Sequence, residues 1–197
     1  YINKTINFTA TPLLFETIVK AIGGHSYGSN PMAGILYMNN ITDDSTSNGE
    51  ADVLITTSEY QIDWQSGTSY IAPSAYWHGG SVSLPTTLAI LLNGSSVAGF
   101  YGSSLSNLVQ MPAGAVTPSG YKGVGYMGLY TNADSNDGSF WAIFELLLAR
   151  PWPPNGVMPS YTVVGGHPIG QYLAWRYTPT SNTVNITLHV TSYPNNT

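Results

Sequence analysis

Carboxylates close to aromatic side chains are the residues of this chain best suited to chemistry. Glu145 lies on the same predicted strand face as Trp141, and Glu59 or Asp63 could supply a second carboxyl group. A retaining glycoside hydrolase needs two carboxyl groups about 5–5.5 Å apart, in a site shaped to hold the sugar. The four positions form no recognisable motif, so a secreted β-sandwich glycoside hydrolase is kept as an alternative function.

A structural role for Glu145 is the competing interpretation. A single glutamate in an apolar strand can be held by an arginine, and Arg150 or Arg176 could do this here. Residues 24–28 (Gly-His-Ser-Tyr-Gly) match the letters of the Gly-x-Ser-x-Gly pattern. A serine nucleophile needs that pattern on a turn from a strand to a helix, whereas this segment lies in a chain predicted to be all-β. We therefore expect no catalytic residues and a protein that is not an enzyme.

Aromatic residues support a second alternative, a carbohydrate-binding module. Large rings can form a platform on which sugars stack, although in β-proteins they more often form the core or an interface. The candidates for such a platform are Trp64, Tyr70, Tyr76, Trp77, Trp141, Trp152, Trp175 and Tyr177.

Metal binding has little support in the sequence. His25, His78, His167 and His189 show no ligand spacing. The acidic residues at positions 43, 44, 50 and 52 lack the ordered series of a calcium loop, so a solvated loop is the better interpretation. The chain contains no cysteine, which excludes thiolate ligands and disulfides. We expect no metal and no cofactor, apart from N-linked glycans.

Charge is scarce: 8% of residues are Asp, Glu, Lys or Arg, against about 25% in a typical soluble domain. Hydroxyl and amide groups must keep the surface hydrated, and these do not titrate in an acidic medium. The net charge of -5 leaves no basic patch for nucleic acid. The sequence has no run of 18 apolar residues, so we predict no membrane span. Tyr1 resembles the first residue of a mature protein after removal of a signal peptide. We expect an extracellular protein at the cell surface.

Asn-X-Ser/Thr sequons support this location. We expect most of them to be glycosylated and therefore to lie on the surface. The six sequons begin at Asn3, Asn7, Asn40, Asn93, Asn185 and Asn195.

Short apolar segments separated by Gly, Pro, Asn and Ser predict an antiparallel β-sandwich, Ig-like or jelly-roll-like. Alternation over 183–191 predicts a C-terminal hairpin with 171–178, and 138–150 is apolar on both faces, as in a central strand. The predicted strands are 33–41, 51–64, 69–78, 87–101, 120–131, 138–150, 160–165, 171–178 and 183–193.

The N-terminal segment carries most of the functional prediction. In residues 1–11 the even positions are mostly apolar and the odd positions polar, which predicts a strand with one buried face. Residues 12–22 are then apolar on both faces until Gly23-Gly24. That run fits a strand sealed between two neighbours, but its spacing also fits an amphipathic helix.

Such a strand can pair within its own domain or complete the sheet of a neighbouring copy. In the second case backbone hydrogen bonds hold the contact and alternate side chains fill pockets. The contact joins two different surfaces, so it propagates into a filament unless it closes into a ring. The residues expected to plug the neighbour are Ile6, Phe8, Leu13, Phe15, Ile18 and Val19.

The start at Tyr1, the apolar sequon-bearing segment 1–22, the Gly23-Gly24 break and the cysteine-free β head resemble the thread filament subunits of Sulfolobus-type thermoacidophilic archaea. This resemblance spans the chain as an architecture and rests on no single motif. It implies a linear extracellular filament in which each N-terminal strand inserts into the head of the next subunit. A type IV pilin would instead begin with an uninterrupted apolar helix.

We therefore predict a donor strand at residues 1–23 and a β-sandwich head at 24–197. The expected partners are identical subunits in a linear homopolymer, with no nucleic acid and no membrane span. The expected function is a structural subunit of a glycosylated surface filament in adhesion, biofilm or cell contact. A viral jelly-roll coat protein is a further alternative.

Overall fold

The structure is a computed structural model that describes residues 5–10, 12–26, 31–40, 49–66, 69–71, 77–133, 138–152, 163–164, 167–168, 172–180 and 183–191. These residues contain strands and turns but no helix. None of their segments is therefore a helix long and apolar enough to cross a membrane.

The chain runs through its strands in the following order. They are β1 (Ile6–Asn7), β2 (Leu13–Ser26), β3 (Pro31–Met38), β4 (Glu50–Ile55), β5 (Tyr60–Ser66), β6 (Ser69–Ile71), β7 (Trp77–Gly79), β8 (Thr86–Leu92), β9 (Val97–Gly102), β10 (Leu108–Val116), β11 (Val124–Ala133), β12 (Gly138–Pro151), β13 (Val163–Val164), β14 (His167–Pro168), β15 (Tyr172–Thr180) and β16 (Thr183–Thr191).

Two antiparallel sheets, here named A and B, pack face to face. Sheet A has the order β1-β11-β3-β4-β5-β6, with β7 also paired to β5. Sheet B has the order β10-β9-β8-β2-β12-β15-β16, and β13 pairs with β14 separately. The predicted all-β antiparallel sandwich is confirmed.

The core lies between the two sheets because alternate residues of each strand point inward. Ile35, Val53 and Ile62 of sheet A meet Leu88 and Ile90 of sheet B in one buried cluster. A second, smaller cluster lies on the face of sheet B that points away from sheet A, and we call this the outer face of sheet B. It contains Leu14, Ala89, Ala98 and Phe100, with Leu91, Leu108 and Trp152 packed against it.

Strand β2 lies in the middle of sheet B, between β8 and β12. Leu14 and Phe15 are both fully buried although they point to opposite faces, so the strand is sealed on both sides. The strand interpretation of residues 12–22 is confirmed, and the helical alternative is wrong. The strand also continues through Gly23 and Gly24 to Ser26, beyond the predicted break.

The predicted strand over residues 1–11 is too long for the residues that are described, since only 6–7 of residues 5–10 form a strand; residues 1–4 and 11 lie outside the described residues. Strand β1 has two residues and pairs with β11, and a turn follows at residues 8–10. Phe8 is nevertheless fully buried in the main core, whereas Ala10 is exposed. The chain thus crosses from the edge of sheet A to the centre of sheet B within a few residues.

Two of the predicted strands are each divided by a side-chain-capped turn. The oxygen of Thr56 accepts hydrogen bonds from the backbone N–H groups two and three residues on, which separates β4 from β5. The amide oxygen of Asn93 accepts the equivalent pair, which separates β8 from β9. Polar side chains of this kind bond to nearby backbone and so favour a turn over a continuous strand.

Strand β10 is absent from the predicted strands. It contains Pro112 and Gly114, which argue against a central strand. The structure accommodates them because β10 is the first strand of sheet B and its pairing with β9 is interrupted between Gln110 and Ala115. The predicted C-terminal hairpin is confirmed, since β15 pairs with β16 over its whole length.

Candidate functional site

Most of the residues expected to plug a neighbouring subunit lie in or against the main core, in β1, in β2 and at Phe8 between them. Phe8, Phe15 and Val19 are fully buried in the main core, and Ile6 and Leu13 pack against it. Ile18 instead lies opposite Thr87 and lines a groove on the outer face of sheet B. In this single chain β2 pairs with β8 and β12 of its own sheet.

A buried ion pair joins β2 to β12 on the outer face of sheet B. Arg150 donates through Nε to Glu16 Oε2 at 2.9 Å and through Nη2 to Oε1 at 3.0 Å. The Glu16 side chain is completely buried and that of Arg150 is 10% exposed. The alternative in which Arg150 pairs with Glu145 is wrong, because Arg150 pairs with Glu16. A one-residue slip of β2 would turn Glu16 into the core, so the pair opposes any other register.

Glu145 forms an exposed ion pair with Lys20 on the same outer face, at 2.8 Å. It lies in sheet B, whereas Asp63 is part of β5 in sheet A. Glu145 and Asp63 therefore lie on opposite outer sides of the sandwich and do not form a pair of facing carboxyl groups. Asp63 contacts His78 at 2.7 Å, and Glu59 accepts a hydrogen bond from Gln61.

A groove of about 280 Å³ opens beside the Lys20–Glu145 pair. Hydroxyl-bearing residues contribute to its wall: Thr87, Ser103, Ser104 and Ser106. Beyond Glu145 along β12 lie Ile143, which is 39% exposed, and Trp141, which is 50% exposed. A Cβ added to Gly23 would lie 2.5 Å from Cζ2 of Trp141, so the indole ring rests on the bare backbone of β2.

The other aromatic candidates have structural positions where the structure describes their side chains. Trp64 is buried and Trp77 stacks on Tyr101, with ring centroids 5.7 Å apart. Trp152 packs on Phe100 in the smaller cluster. The side chains of Tyr70, Tyr76, Trp175 and Tyr177 lie outside the described residues.

A buried acidic pair lies on the outer side of sheet A. Asp52 of β4 is directly opposite Asp63 of β5, and both are buried. Oδ1 of Asp52 has no hydrogen-bond partner in the part of the chain that the structure describes. Burial, and then the charges of Asp63 and Glu50, raises the pKa of Asp52 well above its ordinary value. These carboxyl groups are closed to a substrate, so we assign them an effect on stability and not catalysis.

Metal ligands do not gather anywhere in the described residues. No group of three or more His, Asp and Glu side chains there is arranged to hold a metal ion. His78 contacts Asp63, whereas the side chains of His25, His167 and His189 lie outside the description.

Three sequons lie near one loop, residues 117–123, at one end of the sandwich. Asn7 is next to Phe8, whose N–H bonds to Gly123, and Tyr121 donates a 2.5 Å hydrogen bond to the carbonyl of Asn93. Asn40 follows Asn39, whose side chain donates to the carbonyl of Gly120. We call this end the sequon end.

Asn7 and Asn93 share one local geometry. In each, the amide oxygen accepts the N–H of the sequon residue two positions on and contacts its hydroxyl group. The amide nitrogen, which would carry a glycan, is not used in these bonds. Asn185 lies in β16, at the far edge of sheet B, and Asn3 and Asn195 are outside the described residues.

Comparison with known proteins gives one partial sequence match. The chain is 42% identical over 55 residues to the "Putative transmembrane protein ORF1334" of Acidianus two-tailed virus. The match covers 28% of this chain and 3% of the viral protein. No family model matches the chain.

Solved structures that resemble the chain do so only distantly. Sheep galectin-11 in complex with glycerol has a TM-score of 0.42 and 9% identity, covering 70% of this chain and 95% of the galectin. Scytalido-glutamic peptidase with a transition-state analogue inhibitor has a TM-score of 0.39 and 7% identity, covering 93% of this chain and 95% of the peptidase. Similarity this low assigns neither a fold family nor an activity.

Proposed function

We propose that the chain is a structural subunit of an extracellular, N-glycosylated filament. In the filament, β2 of each copy occupies the space between β8 and β12 of its neighbour. The contacts would be those that β2 makes in the single chain, now formed between copies. The subunit needs no catalytic residue for this role.

The position of β2 is the observation that carries the proposal. It is an N-terminal strand, yet it forms the centre of sheet B and pairs over 13–19 with β8 and over most of its length with β12. Removing it would expose two unpaired strand edges and open the core at Phe15 and Val19. An incomplete sheet of this kind favours uptake of an equivalent strand from another copy.

The Glu16–Arg150 pair supports a defined register for the exchanged strand. Both groups are buried, so a strand that placed Glu16 away from Arg150 would bury charges without compensation. In the filament this ion pair would join one subunit to the next.

The connection between β2 and β3 limits the geometry of the filament. Only residues 27–30 separate the two strands, and four residues span at most roughly 14 Å when fully extended. Successive heads would therefore touch. Donor and acceptor surfaces differ, so the contact propagates into a linear array.

Glycans at the sequon end would provide a hydrated surface for a chain with few charges. Asn7 ends β1 and Asn93 follows β8; the amide nitrogens of both lie outside the bonds described above, and Asn7 is exposed. Because glycans must lie on the surface, we place this end on the outside of the filament.

Cysteine cross-linking tests the exchange of β2 directly, because the natural chain has no cysteine. Ile18 of β2 is directly opposite Thr87 of β8, and such pairs lie about 4.5–5.5 Å apart at Cα, within the range for a disulfide. We expect oxidised assemblies of the Ile18→Cys/Thr87→Cys variant to give a ladder of covalent oligomers on non-reducing gels.

The control variant is Leu91→Cys/Ala98→Cys. These residues face each other across the hairpin of β8 and β9, so their disulfide always forms within one head. It should give only monomers. If the Ile18–Thr87 pair also cross-links only within monomers, β2 stays in its own head and the proposal fails.

A viral structural protein is the second candidate, and the match to a protein of an archaeal virus favours it. A coat protein with this sandwich would assemble into closed particles, whereas strand exchange gives filaments. Electron microscopy of the purified assemblies distinguishes the two, since shells of uniform size would favour the viral role.

A further inference from the structure

We propose that the outer face of sheet B carries a binding site for a neutral oligosaccharide. The site is the groove beside Lys20 and Glu145, continued along β12 by Ile143 and Trp141. It is independent of filament assembly, because the groove has the same walls whether β2 belongs to the same copy or to a neighbour.

The indole of Trp141 provides a flat apolar surface. It is half exposed, although large aromatic rings are normally buried in sheets. Gly23 sets its position, because any larger residue would place a Cβ 2.5 Å from the ring. The ring is therefore held against the strand before any ligand arrives, which lowers the entropic cost of binding.

The groove supplies polar groups of the kind that sugar hydroxyls require. Lys20 donates and Glu145 accepts hydrogen bonds, and the two charges balance. Both side chains are about half exposed, so each retains hydrogen-bonding capacity toward a ligand. Three serines of the wall add uncharged hydroxyl groups, and the remaining wall is largely apolar, which suits the apolar faces of sugar rings; these serines are Ser103, Ser104 and Ser106. This combination selects a neutral polyhydroxylated ligand over an anion or a cation.

The size of the site favours a short chain of sugars over a single one. Trp141 and Glu145 are four positions apart on β12, which corresponds to roughly 13 Å along a strand. A ligand that contacts both the ring and the ion pair must span that distance.

The site is also distant from the sequon end. Thr87 lines the groove near the start of β8, and Asn93 follows the end of that strand. Six residues of strand separate them by roughly 20 Å. Glycans at the sequon end would therefore leave the groove open.

Isothermal titration calorimetry of the full glycosylated chain tests the proposal. The probes are cellohexaose, maltohexaose and mannohexaose at up to about 5 mM, a concentration that reveals Kd values near 1 mM. We expect at least one of them to bind. Trp141→Ala should weaken that binding about tenfold, and Glu145→Gln about threefold.

Two further variants separate the site from general effects on folding. Val109→Ala removes an exposed apolar residue on β10, which is 56% exposed, and should leave the affinity unchanged. Gly23→Ala keeps the indole but displaces it, and should weaken binding as Trp141→Ala does. Thermal unfolding of each variant establishes that it is folded.

Absence of binding by all three oligosaccharides overturns the proposal. So does binding that Trp141→Ala, Gly23→Ala and Glu145→Gln leave unchanged. Filament formation is measured separately by the cysteine ladder, so failure of this site and failure of the proposed function remain distinguishable.

Discussion

Removing one partner of the Glu16–Arg150 pair should destabilise the protein far more than removing both. The perturbation is the set Glu16→Leu, Arg150→Leu and the double variant. Glu16→Leu leaves the guanidinium of Arg150 in a site where it is 10% exposed, without its carboxylate. Arg150→Leu leaves the fully buried carboxyl group of Glu16 without its guanidinium.

The burial of both groups sets the magnitude. Breaking a buried ion pair from one side typically costs about 3–5 kcal/mol, whereas replacing both partners by apolar residues is often neutral or stabilising. The neighbouring cluster of Leu14, Ala89 and Phe100 is apolar and can pack against two leucines. A domain is stable by only about 5–15 kcal/mol, so each single variant should lose a large part of the total.

Urea unfolding followed by tryptophan fluorescence measures these free energies. The matched control is Lys20→Gln with Glu145→Gln, an ion pair between the same two strands whose side chains are 44% and 49% exposed. An exposed pair contributes about 0–1 kcal/mol, so the losses of stability in the two single control variants should nearly add up to the loss in the double variant. If the Glu16 and Arg150 variants are also additive within about 0.5 kcal/mol, the buried pair does not hold β2 in register.

Two further predictions concern sheet A. The raised pKa of Asp52 means that the folded chain keeps a proton that the unfolded chain releases near pH 3.8, so this residue makes stability fall as the pH rises above about 4. The free energy of unfolding of Asp52→Asn should therefore equal that of the natural protein near pH 3 and exceed it at neutral pH, by about 1.4 kcal/mol for each unit of pKa elevation. A difference between the two proteins that stays the same from pH 3 to neutral pH would contradict the assignment. Gly34→Ala would place a Cβ 2.1 Å from the backbone oxygen of Val53, whereas Gly99→Ala meets the flexible ends of Met111 and Ile62. Gly34→Ala should therefore lower the melting temperature more than Gly99→Ala does, and the reverse order would show that β3 and β4 are not packed as described.

The pattern of apolar residues was sufficient to predict the sandwich, and it favoured a strand covered on both faces at residues 12–22. Leu14 and Phe15 are adjacent, both apolar and both fully buried, as expected for a strand that is covered on both faces. The same pattern could not show where β2 pairs, because its partners β8 and β12 are distant in sequence. The Glu16–Arg150 pair, separated by 134 residues, depends on that register and was not predicted.

Local side-chain bonding explains the strands that were joined in error. Thr56 and Asn93 each cap a turn inside a predicted strand, and the apolar pattern on either side hides them. The sequence contains a signal from which the Asp52–Asp63 pair could have been predicted. The two residues are equally far from the turn at 56–59, so recognition of Thr56 as a turn residue would have placed them opposite each other.

The outer groove was predicted only in part. Glu145 and Trp141 were both identified and both lie exposed on one face of sheet B. The structural alternative gave Glu145 an arginine partner, whereas its partner is Lys20, since the register of β2 brings this lysine beside β12. Gly23 was interpreted as a strand break, and its role beneath the indole depends on a cross-strand neighbour that the sequence alone does not identify.

Cryo-electron microscopy of the native protein at acidic pH tests the central claim most directly. The proposal predicts thin, unbranched filaments in which density for β2 leaves one head and enters sheet B of the next, between β8 and β12, with Glu16 beside Arg150 of that neighbour. Dispersed heads in which β2 remains continuous with its own sheet would contradict it.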